Sequence, residues 1–249
     1  MRNNRSFAIV EALFVSVFVA ATHPFFVEVS YAEAKPLEIR AQFFYEDENK
    51  EIRPLTNQSV LKSGQYVGIA FRSQENSHIY VLWNDSSGKM GVLFPNPALT
   101  DNIPEVIAGK SYWLPSKDSE RWYVLDDNPG TETIYFIAAR NPNPKLEELI
   151  RSLNSSSGLR ADAGDYSSRR GEGRAYRRHT GPAELGPESA AAVKRELNMM
   201  GFAQVTVPKG VEKASYETKQ ELFDNLEQTI RVSGAQAMLK VQFQHVDSH

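Results

Sequence analysis

Asp126, Asn128, Gly130 and Glu132 alternate around a tight turn, and three of them carry side-chain oxygens that can ligate a cation. Calcium accepts such an all-oxygen set, so Asp126, Asn128 and Glu132 form a candidate calcium site. The spacing is shorter than an EF-hand loop and Pro129 stiffens it, so a solvated Asx-type turn without metal is the default reading. Asp85, Asp126, Asp127 and Glu132 are also the carboxylates that a polymer-cleaving enzyme would use as acid and base. A glycosidase needs two of them converging across a cleft, about 5–9.5 Å apart.

Other patterns carry less chemistry. Ala108-Gly109-Lys110-Ser111 matches the end of a phosphate-binding loop, but Pro104 stands where that loop needs its first glycine. Ser59-Val60-Leu61-Lys62 and Ser86-Ser87-Gly88-Lys89 match the serine–x–x–lysine spacing of penicillin-interacting enzymes. Both fall in expected turns, and no Lys-Thr-Gly strand accompanies them. Among His78, His179, His245 and His249 only the last two stand four apart, at the extreme C-terminus at the end of an expected strand rather than on a helix. A Gly-x-Ser-x-Gly elbow is absent, so no serine hydrolase is anchored. Catalytic residues and cofactors are therefore expected to be none.

Binding residues stand out better. Tyr80, Trp83, Phe94, Tyr112, Trp113, Trp122 and Tyr123 cluster in one block. Most are expected in a core, with Trp113 and Trp122 as surface contacts on strand alternation. Arg169, Arg170, Arg174, Arg177 and Arg178 with His179 form a basic patch interleaved with Tyr166 and Tyr176. Such a patch suits an anionic lipid, a polysaccharide or an acidic partner, weakly and with salt sensitivity, against a plain solvated linker.

These residues need elements to position them. Leu37 to Tyr45 alternates as a strand, and Glu46 to Arg53 reads as a turn. Val67, Ile69 and Phe71 share one strand face. His78–Asn84 and Lys89–Phe94 flank Asp85-Ser86-Ser87-Gly88 as a hairpin. Pro95, Pro97 and Pro104 mark a long loop, followed by strands at Ser111–Leu114, Arg121–Asp126 and Glu132–Arg140. The last is apolar on both faces and is expected to be central. Together these predict a mainly β fold: an antiparallel β-sandwich or partly closed barrel over residues 35–142, with a smaller α/β part after a mobile linker.

Residues 143–185 read as a short helix over Lys145–Leu153 and then an Arg/Ser/Gly-rich linker. Residues 186–249 read as an α/β tail. Pro187 opens a helix reaching about Met200, Phe202–Val207 is a strand, and Tyr216–Val232 is a second helix. Ala235–Val246 alternates as a closing strand returning to the β domain.

Residues 1–34 have the pattern of an export signal: Arg2 and Arg5, the apolar run Phe7–Ala21 broken by Glu11, and Ala32-Glu33-Ala34 before Lys35. An uncleaved anchor is the rival, but the run falls short of the roughly 20 apolar residues of a span. Cleavage removes Arg2, Arg5, Glu11, Glu28 and Glu33, leaving 26 basic and 28 acidic residues, a net charge of −2. That balance makes no electrostatic case for nucleic acid. Cysteine is absent, which excludes disulfides, catalytic thiols, thiolate metal sites and a lipid-modified terminus.

Gly64, Ile79-Tyr80-Val81-Leu82, Gly88, Leu93-Phe94-Pro95-Asn96, Ala108-Gly109-Lys110, Leu114-Pro115 and Pro129-Gly130-Thr131-Glu132 occur in one order. Together they resemble the bacterial domain-of-unknown-function family 4384 over about Ser59 to Pro142. Domains of that family stand beside caspase-like peptidases, kinases and surface-protein modules, so the resemblance implies an accessory or recognition role and no catalytic residues. The expectation is a periplasmic or secreted, non-enzymatic binding protein of the cell envelope. Its partner is an envelope protein or an anionic envelope polymer, and no membrane span remains after cleavage. An enzyme acting on a cell-wall polymer is the alternative.

Overall fold

Apolar residues at every second position bury one face of each strand, and in the computed structural model these strands stack as two sheets. The structure describes residues 36–96, 104–115, 122–156, 184–200, 202–205, 228–232 and 236–248. In chain order the first strands are β1 (Leu37–Glu46), β2 (Ile52–Pro54), β3 (Val60–Lys62), β4 (Tyr66–Ser73), β5 (Ser77–Asn84), β6 (Met90–Phe94) and β7 (Glu105–Val106). β8 (Ser111–Leu114), β9 (Tyr123–Val124) and β10 (Gly130–Ala139) follow. After α1 (Pro144–Ser156) come β11 (Glu184–Leu185), α2 (Pro187–Met199), β12 (Ala203–Val205), β13 (Gln228–Val232) and β14 (Gln236–Val246).

The first sheet runs β13-β1-β4-β8, with β2 added to β1 and β9 to β4. The second runs β11-β6-β5-β10-β14-β12, with β3 on β14 and β7 on β5. Pairing is antiparallel except where β12 and β3 lie parallel to β14. The fold is an open two-sheet sandwich, not a closed barrel. Phe43, Ile69 and Phe71 of the first sheet meet Val81, Phe136 and Phe243 of the second, all fully buried. Phe136 sits edge-on to Phe43 at 5.9 Å and to Phe71 at 5.4 Å.

β10 is central, between β5 and β14. Its Ile134, Phe136 and Ala138 enter the sandwich, while Tyr135 and Ile137 enter a second cluster under the helices. Double burial explains why both faces of this strand are apolar. α1 starts at Asn143, whose Oδ1 accepts the Leu146 N–H at 3.1 Å, with Pro144 preset for the first turn. It lays Leu146 and Ile150 on the sheet, and α2 adds Ala190, Val193 and Leu197.

Three expectations change. The stretch expected as a turn over Glu46–Arg53 holds the start of β2, which pairs with β1. Gln228–Val232, expected as the end of a helix, is β13 and pairs antiparallel with β1, Ile230 opposite Ile39. Glu105–Val106, close after the expected proline loop, forms β7 on β5. The presumed signal at 1–34, residues 157–183 of the expected linker and residues 206–227 lie outside the described residues. The C-terminal stretch supplies strands to both sheets, and β14 pairs with β10 over ten consecutive residues. Among the described residues no helix is long and apolar enough to cross a membrane.

Candidate functional site

The β5–β6 hairpin, the start of β10 and the end of β14 bring chemistry together at one end of the second sheet. The hairpin turn is locked by Asp85, whose Oδ1 accepts the Lys89 N–H at 2.8 Å and the Ser87 hydroxyl at 2.7 Å. Gly88 closes it at φ +82, a conformation that favours glycine. Gly130, also at positive φ, lets β10 pass close: a Cβ there would stand 2.9 Å from that of Ser86. Ser86 Oγ donates to the Asn128 carbonyl at 2.5 Å, fastening the two turns.

That approach delivers Glu132 into the interior, fully buried. Its Oε2 accepts the Trp83 Nε1–H at 2.5 Å, and its Oε1 accepts the Ser86 N–H at 3.2 Å. His245, 2% exposed, brings Nδ1 to 3.4 Å from Oε1. The β10–β14 register makes this meeting possible, because it sets Gly130 opposite His245 and Glu132 opposite Phe243. His245 Nε2 lies 3.0 Å from Ser63 Oγ. A carboxylate oxygen of Asp126 joins the group, and one donor atom from each of Asp126, Glu132 and His245 lies within 4.8 Å of the others.

Hydroxyl, imidazole and carboxylate in the order Ser63–His245–Glu132 have the connectivity of a nucleophilic triad. The backbone around Ser63 does not complete one. Its own N–H is bonded to the Val246 carbonyl, that of Gly64 to Leu125, and that of Gln65 to Lys62. None of these donors is open to a developing oxyanion.

Of the sequence candidates, Asp126 and Glu132 converge, and Asn128 stands against Asp126. It donates through both its backbone N–H and Nδ2 to Asp126, at 3.1 and 2.8 Å. Asp127 is exposed and Asp85 is held in its turn. Trp113, expected as a surface contact, is 3% exposed. Strand alternation does turn it away from the main core, but that outer face has its own cover. Phe44, Ile52 and Ala70 pack with Trp113, and half-buried Trp122 lies edge-on to it at 5.9 Å. Arg169, Arg170, Arg177 and Arg178 lie outside the described residues. His245 and Ser63 were not distinguished in the sequence as a site: they are far apart in the chain from each other and join only through strand pairing.

A second feature opens nearby, a cleft of about 740 Å³ between α2 and the outer face of β10 and β14. Thr131, Thr133, Lys240 and Gln242 line it from the sheet, Lys194 and Asn198 from the helix. Asn84 also lines it; this residue is 6% exposed, and its Oδ1 has no hydrogen-bond partner among the described residues. Two lysines against one carboxylate, that of Asp85, together with several hydroxyls and amides, suit a polar, hydroxyl-bearing ligand of net negative charge.

Residues 60–142 match the family model described as a domain of unknown function (DUF4384), less than half of the chain. Ser63, Trp83, Asp126 and Glu132 fall within the matched stretch, and His245 falls outside it. No curated protein matches the chain.

Proposed function

We propose that the chain is an exported, non-enzymatic accessory or binding protein of the bacterial cell envelope, and that the cleft beside α2 receives its partner. The observation that carries this reading is the pair of cations on the cleft walls, Lys194 and Lys240, among the hydroxyls and amides of Thr131, Thr133, Asn198 and Gln242, with Asp85 at its edge. The partner is an anionic envelope polymer or an acidic protein segment. Arg2, Arg5, the run Phe7–Ala21 and Ala32-Glu33-Ala34 support export. The burial of Glu132 and the bonded N–H groups around Ser63 support a role without turnover.

The test is equilibrium binding of the chain from Lys35 onward to purified peptidoglycan and to polygalacturonate, beside the double variant Lys194→Glu, Lys240→Glu. Saturable binding that drops at least tenfold in the variant supports the reading. Equal binding by both forms, or none to either polymer or to an acidic peptide panel, removes the cleft from it.

The alternative, an enzyme acting on a cell-wall polymer, draws on the convergence of Asp126 and Glu132. It requires release of reducing ends from peptidoglycan by the wild type and loss of that release in Asp126→Asn.

A further inference from the structure

On the outer face of the first sheet, three strands line up a row of donors. β1, β4 and β8 are paired so that Arg40 stands opposite Arg72, and Arg72 opposite Ser111. Alternation puts all three on the face away from the sandwich core, because their neighbours Ile39, Ala41, Phe71 and Tyr112 enter that core. Arg40 is exposed, while Arg72 and Ser111 are half-buried. Like charges directly opposite on one sheet face, with Cβ atoms about 4.5–5.5 Å apart, repel and destabilise the pair. Arg53 and Arg140 meet carboxylates, those of Asp47 at 3.0 Å and Glu75 at 2.7 Å. Among the described residues, neither Arg40 nor Arg72 has a carboxylate at ion-pair distance. Glu38, on the same face of β1, is engaged with other groups.

Ser111 holds Arg72 in place. Its Oγ accepts both the Nε–H and an Nη2–H of that guanidinium, at 2.9 and 2.6 Å. With both lone pairs taken, the hydroxyl proton is left to donate. The N–H groups on Arg72 Nη1 have no acceptor among the described residues. The row therefore offers two guanidinium groups and a hydroxyl, all as donors. In the next register positions Gln42, Ala70 and Trp113 are 0%, 0% and 3% exposed, which shields one flank of the arginines from water. Charge-assisted bonds gain strength beside such a low-dielectric wall. The turn before Ser111 adds no backbone cradle, since the Gly109 N–H goes to the Ser73 carbonyl and the Lys110 N–H to that of Ile107.

We propose that Arg40, Arg72 and Ser111 bind a phosphate group. A guanidinium matches two oxygens of an oxyanion with parallel N–H bonds, which an ammonium does not. The Ser111 hydroxyl then serves a further oxygen. A carboxylate has no oxygen left for that third donor, so a tetrahedral phosphate uses the row more fully. Its negative charge also relieves the repulsion between Arg40 and Arg72. The row lies on the first sheet and the cleft beside α2 on the second, so neither site depends on the other.

The experiment titrates the chain from Lys35 onward with inorganic phosphate by calorimetry, then with long-chain polyphosphate and with polygalacturonate. The expected result is saturable binding of one phosphate per chain and a rise in melting temperature with phosphate. Arg40→Gln should weaken phosphate at least tenfold, yet without phosphate it should melt no lower than the wild type, because a repulsion has gone. Arg72→Lys should weaken it as strongly, since the charge stays but the fork that grips Ser111 is lost. The cleft variant Lys194→Glu, Lys240→Glu should bind phosphate as the wild type does. Polyphosphate binding that is tighter than phosphate and lost in Arg40→Gln supports the site with a polymer as the source; phosphate binding alone supports it with a small ion as the source. Absence of saturable phosphate binding, unchanged affinity in Arg40→Gln, or an equal loss in the cleft variant would each overturn the proposal. So would polygalacturonate bound through Arg40 in a chain that ignores phosphate.

Discussion

Replacing Glu132 by alanine removes the acceptor that ties β5, β10 and β14 together. In the native chain the carboxylate is fully buried and takes the Trp83 Nε1–H at 2.5 Å and the Ser86 N–H at 3.2 Å, with His245 Nδ1 beside it. Alanine leaves these polar groups facing a small void, since the β5–β6 turn is pinned by Asp85 and Ser86 and has little room to collapse. An orphaned buried donor costs about 1–3 kcal/mol, and removing one side of a buried charged network costs about 3–5 kcal/mol. We expect Glu132→Ala to lose about 3–5 kcal/mol in metal-free buffer, and Glu132→Gln about 1–3, because the amide keeps one acceptor and turns its NH₂ toward another donor. Urea unfolding of the chain from Lys35 onward, followed by tryptophan fluorescence, measures both. The slope m should hold while the midpoint falls. Adding Trp83→Phe to Glu132→Ala should cost much less than the sum of the single variants, since the two share a bond. A loss under about 0.5 kcal/mol for Glu132→Ala, the size of an ordinary surface substitution, would refute the buried hub.

Gly68→Ala should cost about 1–3 kcal/mol by overpacking. The new Cβ would meet the Phe44 ring at 2.3 Å, and that ring is held 4.5 Å from Trp113 and 5.4 Å from Trp122. A shift in tryptophan emission should accompany the loss, and wild-type stability would contradict the packing. Stability should also fall at alkaline pH. Burial, aided by the Glu147 carboxylate 3.0 Å away, raises the Tyr80 phenol well above its ordinary value of 10.0, and burial raises Tyr135 and Tyr45 as well. The unfolded chain therefore loses these protons first, so their contribution is complete below pH 10 and declines above it. Melting curves from pH 8 to 11 should show this, with a shallower decline in Tyr80→Phe. An identical decline in that variant would contradict the assignment. Polymer binding adds a further test, with the outcomes given above.

Much of the fold was legible because long, half-buried strands impose period two. β1, β4, β10 and β14 bear that mark, Pro95 and Pro115 stop β6 and β8, and Gly88 and Gly130 stand where positive φ is needed. Strands of two or three residues, such as β2 and β7, are too short to show any period. β13 was hidden differently: Leu222, Leu226 and Ile230 have helical spacing, yet Ile230 faces Ile39 in a strand pair. Tertiary pairing overrode the local pattern there. The site was half legible. Asp126 and Glu132 sit six residues apart and invite a cation, but His245 reaches them only through the β10–β14 register, which no local spacing encodes. Trp113 shows the complementary limit. Alternation gave its face, but that face is covered by Phe44, Ile52 and Trp122, which alternation within β8 does not reveal.

We propose that a partner binds in the cleft beside α2. The most direct measurement places a photo-crosslinking residue at Lys194 or Lys240 and, as a control, at the exposed Val60, and irradiates intact cells. Binding in the cleft predicts one discrete envelope adduct from both cleft positions, absent at Val60 and suppressed when the other lysine is changed to glutamate. Adducts equal at all three positions, or none from the cleft, would contradict it.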